Sequence, residues 1–229
     1  MTTQIRILFL DIESSDLHAD IGHVICIGYK WAHEKSPHIM SLIHHPGRKS
    51  NDDSKLLEAF RPIISKADLV VYHFGQFFDY PFLQTRLLIH GLKPYPVVQG
   101  FDTWRTAKYK MRFKSNRLER ILEVLGCPYE KSPVKLSVWG DARIGDPKAV
   151  KYVVDHCKRD VLIEEWVYNK ISCLEYNRPS AFIRKHWSEC ANCGRHTMRS
   201  EGLRTTATRT YRRLNCSNCG FTAKGEVIK

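Results

Sequence analysis

The sequence has no apolar run approaching the roughly 20 residues that a membrane-spanning helix requires. Residues 1–20 already carry Asp11, Glu13 and Asp16, so the chain is expected to have neither a transmembrane helix nor a secretory leader. Internal repeats and low-complexity segments are missing as well. Acidic residues are in short supply: 24 Asp+Glu stand against 36 Lys+Arg, a net charge of +12 with a pI near 9.4. That imbalance points to a polyanionic partner, most simply nucleic acid; a basic solvated surface without such a partner is the alternative. Core-forming residues are not scarce. At 43% hydrophobic and 11% aromatic, the chain is not a disordered tail protein. Its 229 residues suit one domain, or one with a small appendage, and are too few for a polymerase or a helicase motor.

The charge is uneven. Residues 184–229 hold ten Lys/Arg against three Glu, a net of +7, while the preceding 183 residues contribute +5. Cysteine divides the chain in the same place. Cys26, Cys127, Cys157 and Cys173 are scattered singly and read as buried free thiols. Cys190, Cys193, Cys216 and Cys219 form two C-x-x-C pairs in the tail. Without a secretory pattern, such pairs favour metal over disulfides and a reducing, cytoplasmic setting, as in a bacterium or a virus-infected cell. The expected division is residues 1–178 and 186–229, with a boundary near 178–187 that is not a Gly/Ser linker.

Residues 5–11, 23–31 and 38–44 read as three strands of an antiparallel meander. Asp52, Asp53 and Ser54 offer caps to a helix near 54–66, kinked or shortened by Pro62. A short central strand is expected at 69–73 and a helix at 80–90 ending at Gly91. Ser115 is placed to cap a helix at 116–125 that stops at Gly126, and a last long helix spans about 147–171. Strands first, then helices around one more strand, make a mixed α/β fold.

The segment Phe9-Leu10-Asp11-Ile12-Glu13 ends an apolar strand with carboxylates at i and i+2. Alternation puts both on one face. Two adjacent anions are costly unless a cation lies between them, and a hard divalent ion suits oxygen ligands. A solvated strand end with two surface acids is the plainer alternative. Asp79 opens a helix after the central strand, where a simple N-cap is the competing reading. His156 and Asp160 are i and i+4 on the long helix, so they share a face.

Together these pieces resemble the DEDD superfamily of 3′–5′ exonucleases, which have a ribonuclease H-like fold: a mixed sheet flanked by helices. The resemblance covers roughly residues 5–171. FLDIES (Asp11, Glu13) looks like the first motif, FGQFFDYPFLQTR (Asp79) the second and HCKRDV (Asp160) the third. Residues 101–126 and 139–161 also look familial, nearest to the proofreading domain of family-B DNA polymerases. Two departures stand out. The third motif of relatives with this spacing has Tyr where this chain has His156. The second motif usually has Asn where this chain has Phe74; His73 or Gln76 would be the substitutes, and lower efficiency a consequence. The resemblance implies hydrolysis of terminal phosphodiesters of single-stranded nucleic acid, DNA favoured. It implies two Mg²⁺ or Mn²⁺ ions about 3.5–4 Å apart on Asp11, Glu13, Asp79 and Asp160. His156 would take the proton of the attacking water.

The tail resembles a zinc ribbon. Cys190-Ala-Asn-Cys193-Gly194 and Cys216-Ser-Asn-Cys219-Gly220 are matched knuckles that would hold one structural Zn²⁺ with four thiolates. The gap between them fits two strands, one of them read at 205–214. Arg204, Arg209, Tyr211, Arg212 and Arg213 suit phosphate contact and base stacking, and Arg105, Arg112, Lys114 and Arg117 form a second basic run in the body. The rival readings are a non-catalytic nucleic-acid-binding or adaptor protein on the same fold, and a ribonuclease of the same superfamily. A ribbon that docks a replication or repair protein is a further alternative.

Overall fold

The structure, a computed structural model, describes residues 5–49, 51–129, 135–175 and 186–228. The boundary expected near 178–187 falls mostly outside the described residues. Strands β1 (Ile7–Ser14), β2 (Val24–Trp31) and β3 (His38–Ser41) form the antiparallel meander. On the other side of β1, strand β4 (Leu69–Tyr72) and then β5 (Gln99–Asp102) add in parallel, so the sheet runs β3-β2-β1-β4-β5 with β1 central.

A central strand is buried on both faces, and the period of two sorts β1 into two rows. Leu8, Leu10 and Ile12 pack with Leu56, Leu57 and Phe60 of α1 (Ser54–Ile64) and Phe82 and Leu83 of α2 (Asp79–Ile89). Ile7 and Phe9 point the other way, against Val161 and Tyr168 of α6 (Pro147–Ile171). Asp11 and Glu13 continue that second row, which is why two anions are delivered toward α6. Helices α3 (Thr103–Lys110) and α4 (Leu118–Leu125) pack on the far half of α6, and α5 (Leu136–Arg143) on its first half.

Several local details differ from the sequence reading. Asp53 precedes α1 but its side chain does not cap it. Its buried carboxylate instead accepts from Arg86 Nε at 3.0 Å, Arg86 Nη2 at 2.9 Å and the Val24 N–H at 2.8 Å. A buried charge needs such partners more than a helix end needs one cap. Asp52 accepts from the Ser54 N–H at 3.0 Å instead. Ser115 does not cap α4: that helix begins after Arg117, and the Ser115 hydroxyl accepts only the Arg117 N–H at 3.3 Å. Cys26 and Cys157 are buried as expected, whereas Cys127 and Cys173 are half-exposed.

The tail forms a separate three-stranded antiparallel sheet of β6 (Met198–Thr205), β7 (Thr210–Cys216) and β8 (Thr222–Ile228). The stretch 205–214 is not one strand. A turn, in which Thr206 N–H and Arg209 C=O bond at 2.8 Å, interrupts it and lets β7 return along β6. Among the described residues no helix is long and apolar enough to cross a membrane.

Candidate active site and metal centre

Asp11 and Glu13 come close enough, with the Cys157 sulfur, for one donor atom of each to lie within 4.8 Å of the others. Asp79 and Asp160 do not join a group of that spacing, but both stand beside it. Asp79 is the buried first residue of α2, and its Oδ1 accepts the Ile12 N–H at 3.0 Å. Pairing between β1 and β4 ends at Phe9–Val71, so this carboxylate takes an amide that a longer β4 would have taken. On α6, His156 Nε2 lies 3.8 Å from Glu13 Oε1 and 3.5 Å from Asp160 Oδ2. The structure therefore brings the residues of all three motifs to one end of β1.

Three further residues belong to this arrangement. Glu164 lies one turn beyond Asp160, is 2% exposed, and its Oε1 has no hydrogen-bond partner. Burial raises its carboxyl well above the usual range, reinforced by Asp11, Asp79, Asp102 and Asp160. The signal was present in the sequence: His156, Asp160 and Glu164 repeat every fourth residue on one helical face. Asp102, also buried, is raised by burial although the N–H groups of Phe74, Gln76, Arg105 and Trp104 oppose the shift. Gly28 pairs with Asp11 across the sheet, and a Cβ there would sit 2.6 Å from Cys157 Sγ and 2.9 Å from Val161 Cγ2. Only glycine lets α6 lie this close to the carboxylates.

The donor set fits hard cations. Asp11 and Glu13 offer converging oxygens, and Glu164 adds an unpartnered buried one. The Cys157 thiol is a poor competitor: burial pushes it up, and its Sγ donates to the Asp11 carbonyl at 3.7 Å. A cleft of about 730 Å³ opens at Glu13, lined by Ile12, Leu17, Ile21, Phe78 and Trp139 among others.

Burial also raises Asp79, to about 7, with the Ile12 amide opposing. Raised carboxyls keep protons that the unfolded chain has lost, so stability falls as pH climbs. For Asp79 the window runs from its ordinary value of 3.8 to about 7; for Glu164 it opens at 4.5 and extends upward. His23, lowered by burial, acts oppositely below 6.5. Without added Mg²⁺ or Mn²⁺, denaturant titrations of Glu164→Gln are expected to show a shallower loss of stability from pH 5 to 8 than the wild type. Equal slopes in the two proteins would contradict the assignment. Added Mn²⁺ is expected to restore wild-type stability at pH 8.

The loop before α2 holds Phe74 at φ 66°, the one positive-φ residue other than glycine among the described residues. For a bulky side chain this costs about 1–3 kcal/mol and needs support from its surroundings. His73 and Gln76, the expected substitutes for the family's Asn, are engaged elsewhere: His73 Nδ1 with Thr103 Oγ1 at 2.9 Å, Gln76 Oε1 with Arg105 Nη1 at 2.7 Å. Arg105, Arg112, Lys114 and Arg117 are all exposed. In the tail Arg209, Arg212 and Arg213 are exposed; Arg204 and Tyr211 are half-buried and pair across β6 and β7.

The four tail cysteines lie within 4.8 Å of one another, with Cys190–Cys219 and Cys193–Cys216 sulfurs 3.6 and 3.8 Å apart. Tetrahedral metal–sulfur bonds of ~2.3 Å give edges of about 3.8 Å, so the cluster fits a zinc ribbon. Gly194 and Gly220 follow the knuckles at φ 70° and 72°. Burial works against ionising Cys216, but the Thr197 hydroxyl and the amides of Cys219 and Asn218 hold its thiol at about 6.

A family model described as the RNase_H superfamily matches residues 8–172. No curated protein matches the chain. Among solved structures, the chain is similar to the family B DNA polymerase of the hyperthermophilic archaeon Pyrobaculum calidifontis, with a TM-score of 0.61 and 15% identity. The likeness covers 75% of this chain and 25% of that one, so the chain spans about a quarter of the polymerase's length.

Proposed function

Because the chain belongs to the RNase H superfamily, we propose that it is a metal-dependent 3′–5′ exonuclease of single-stranded nucleic acid, DNA favoured. One observation carries this reading: Asp11 and Glu13 on β1 face His156 and Asp160 on α6, while Asp79 holds the β1 backbone between them. Superfamily membership supports nuclease chemistry in general. The likeness to a DNA polymerase favours DNA.

Asp11, Glu13, Asp79 and Asp160 would hold Mg²⁺ or Mn²⁺. Such ions supply a water of lowered pKa and offset charge on the scissile phosphate. His156 Nε2 would take the attacking water's proton, and the flanking Glu13 and Asp160 carboxylates stabilise the imidazolium that results. Glu164 lies buried beside these carboxyls, one turn beyond Asp160 on α6. In the tail, Cys190, Cys193, Cys216 and Cys219 would hold one structural Zn²⁺. The basic β-ribbon around Arg209, Arg212 and Arg213 would grip the strand or dock a replication or repair protein.

The departures at Phe74 and His156 favour one rival, a non-catalytic binding protein. The test uses end-labelled single- and double-stranded DNA and RNA with Mg²⁺, Mn²⁺ or no added divalent ion. Metal-dependent shortening of single-stranded DNA from its 3′ end is expected. Preferential loss of RNA would make the chain a ribonuclease. Binding without cleavage under any metal would leave the non-catalytic reading standing.

A further inference from the structure

Phe74 and Phe77 are large apolar side chains that the fold leaves 41% and 53% exposed. They pack on each other and on Trp104 rather than into a core. Ring centroids lie 5.3 Å apart for Phe74–Phe77, 4.9 Å for Phe74–Trp104 and 5.7 Å for Phe77–Trp104, and both contacts to Trp104 are edge-to-face.

One buried carboxylate organises all three rings. Asp102 Oδ1 accepts the Phe74 N–H at 3.0 Å, and its Oδ2 accepts the Gln76 N–H at 3.2 Å. Oδ1 also caps α3 by accepting the N–H groups of Trp104 at 2.9 Å and Arg105 at 3.3 Å. The loop and the helix that carry the rings are thus tied to one point, which holds Phe74 in its unfavourable backbone conformation. A ring cluster fixed this way yet left in solvent is an expensive arrangement unless something covers it.

Its position and charge say what would cover it. Gly75, next to Phe74, lies against one of the proposed metal ligands: a Cβ there would be 3.0 Å from Asp79 Oδ2. Lys108 Nζ stands 4.5 Å from the Trp104 ring, and Arg105 is held beside the loop through Gln76. Exposed aromatic faces flanked by cations match a strand in which planar bases alternate with phosphates.

We propose that Phe74, Phe77 and Trp104 form a stacking subsite for a base of single-stranded nucleic acid next to the carboxylates, with Lys108 and Arg105 meeting the adjoining phosphates. This rests on the nuclease reading above and deepens it. The ring at position 74, where relatives carry Asn, becomes part of the substrate grip.

The test is fluorescence anisotropy of the full chain with labelled oligothymidylate, without added Mg²⁺ or Mn²⁺. A matched strand has abasic 3′-terminal nucleotides. The wild type is expected to bind the intact strand about tenfold or more tightly than the abasic one. Phe77→Ala and Trp104→Ala are expected to lose that preference, and Trp104→Phe to recover part of it. Lys108→Ala should flatten the salt dependence while keeping the preference for a base. Variants that retain the wild-type preference, or a wild type that binds both strands equally, would overturn the subsite and leave the nuclease reading intact. A preference for aromatic or acidic peptide over any strand would also overturn it. A wild type that neither binds nor degrades any strand would remove the nuclease reading beneath it.

Discussion

Asp11→Ala is expected to lower metal-dependent degradation of an end-labelled strand by about a thousandfold or more while the chain stays folded. Removing a ligand for a catalytic ion forfeits several kcal/mol of charge stabilisation at the reacting phosphate, and each 1.36 kcal/mol is about tenfold in rate. Stability should change little, because the Asp11 carboxylate stands in a site crowded with other carboxyls. Glu164 is raised partly by the Asp11 charge, so deleting that charge relieves repulsion. The backbone carbonyl that Cys157 approaches survives the substitution. Thermal melting beside the nuclease assay separates the two effects. Full residual activity would sink the assignment of the site; a folded protein that melts much lower would show that Asp11 is structural instead.

Elemental analysis is expected to find one zinc per chain, and its loss to unfold the tail sheet. That sheet buries little: Cys190, Ala191, Met198, Leu214, Cys216 and Phe221 make up its core cluster. A core of this size cannot offset the entropy of ordering its strands. Structural zinc contributes ~10–16 kcal/mol in comparable four-ligand sites, more than the cluster can lose and remain folded. Cys219→Ser removes one thiolate, together with the bond that Asn192 Nδ2 donates to its sulfur at 3.2 Å. In that variant, or after chelation, limited proteolysis should cut within residues 186–228 and spare 5–175. Zinc well below one per chain, or a Cys219→Ser tail as resistant as the wild type, would contradict the metal site.

The unequal legibility of the parts has physical causes. Strands β1, β2 and β4 read clearly because each is a run of β-branched and apolar residues buried on both faces. The long helix α6 read clearly because twenty-five residues average out local exceptions. Strand β5 is only Gln99–Asp102 and includes a glycine; its strand character comes from pairing with β4. Helix α3 lies in a basic run whose charges mask its three buried residues, Thr103, Thr106 and Ala107.

The order of residues is enough to say which carboxylates share a strand face, which histidine and aspartate share a helix turn, and which cysteines form knuckles. Those facts follow from periods of two and of about four residues and from short spacings. Packing, by contrast, brings the β1 row to α6, with Gly28 permitting the close approach, and lets Asp79 complete β1 where β4 ends. It also buries Glu164 among other carboxyls, where the helical spacing alone gives only the face it shares with His156 and Asp160. It tied Phe74, Phe77 and Trp104 to Asp102 from segments about thirty residues apart. Burial and cross-chain contact are set by how elements pack, and no local spacing encodes them.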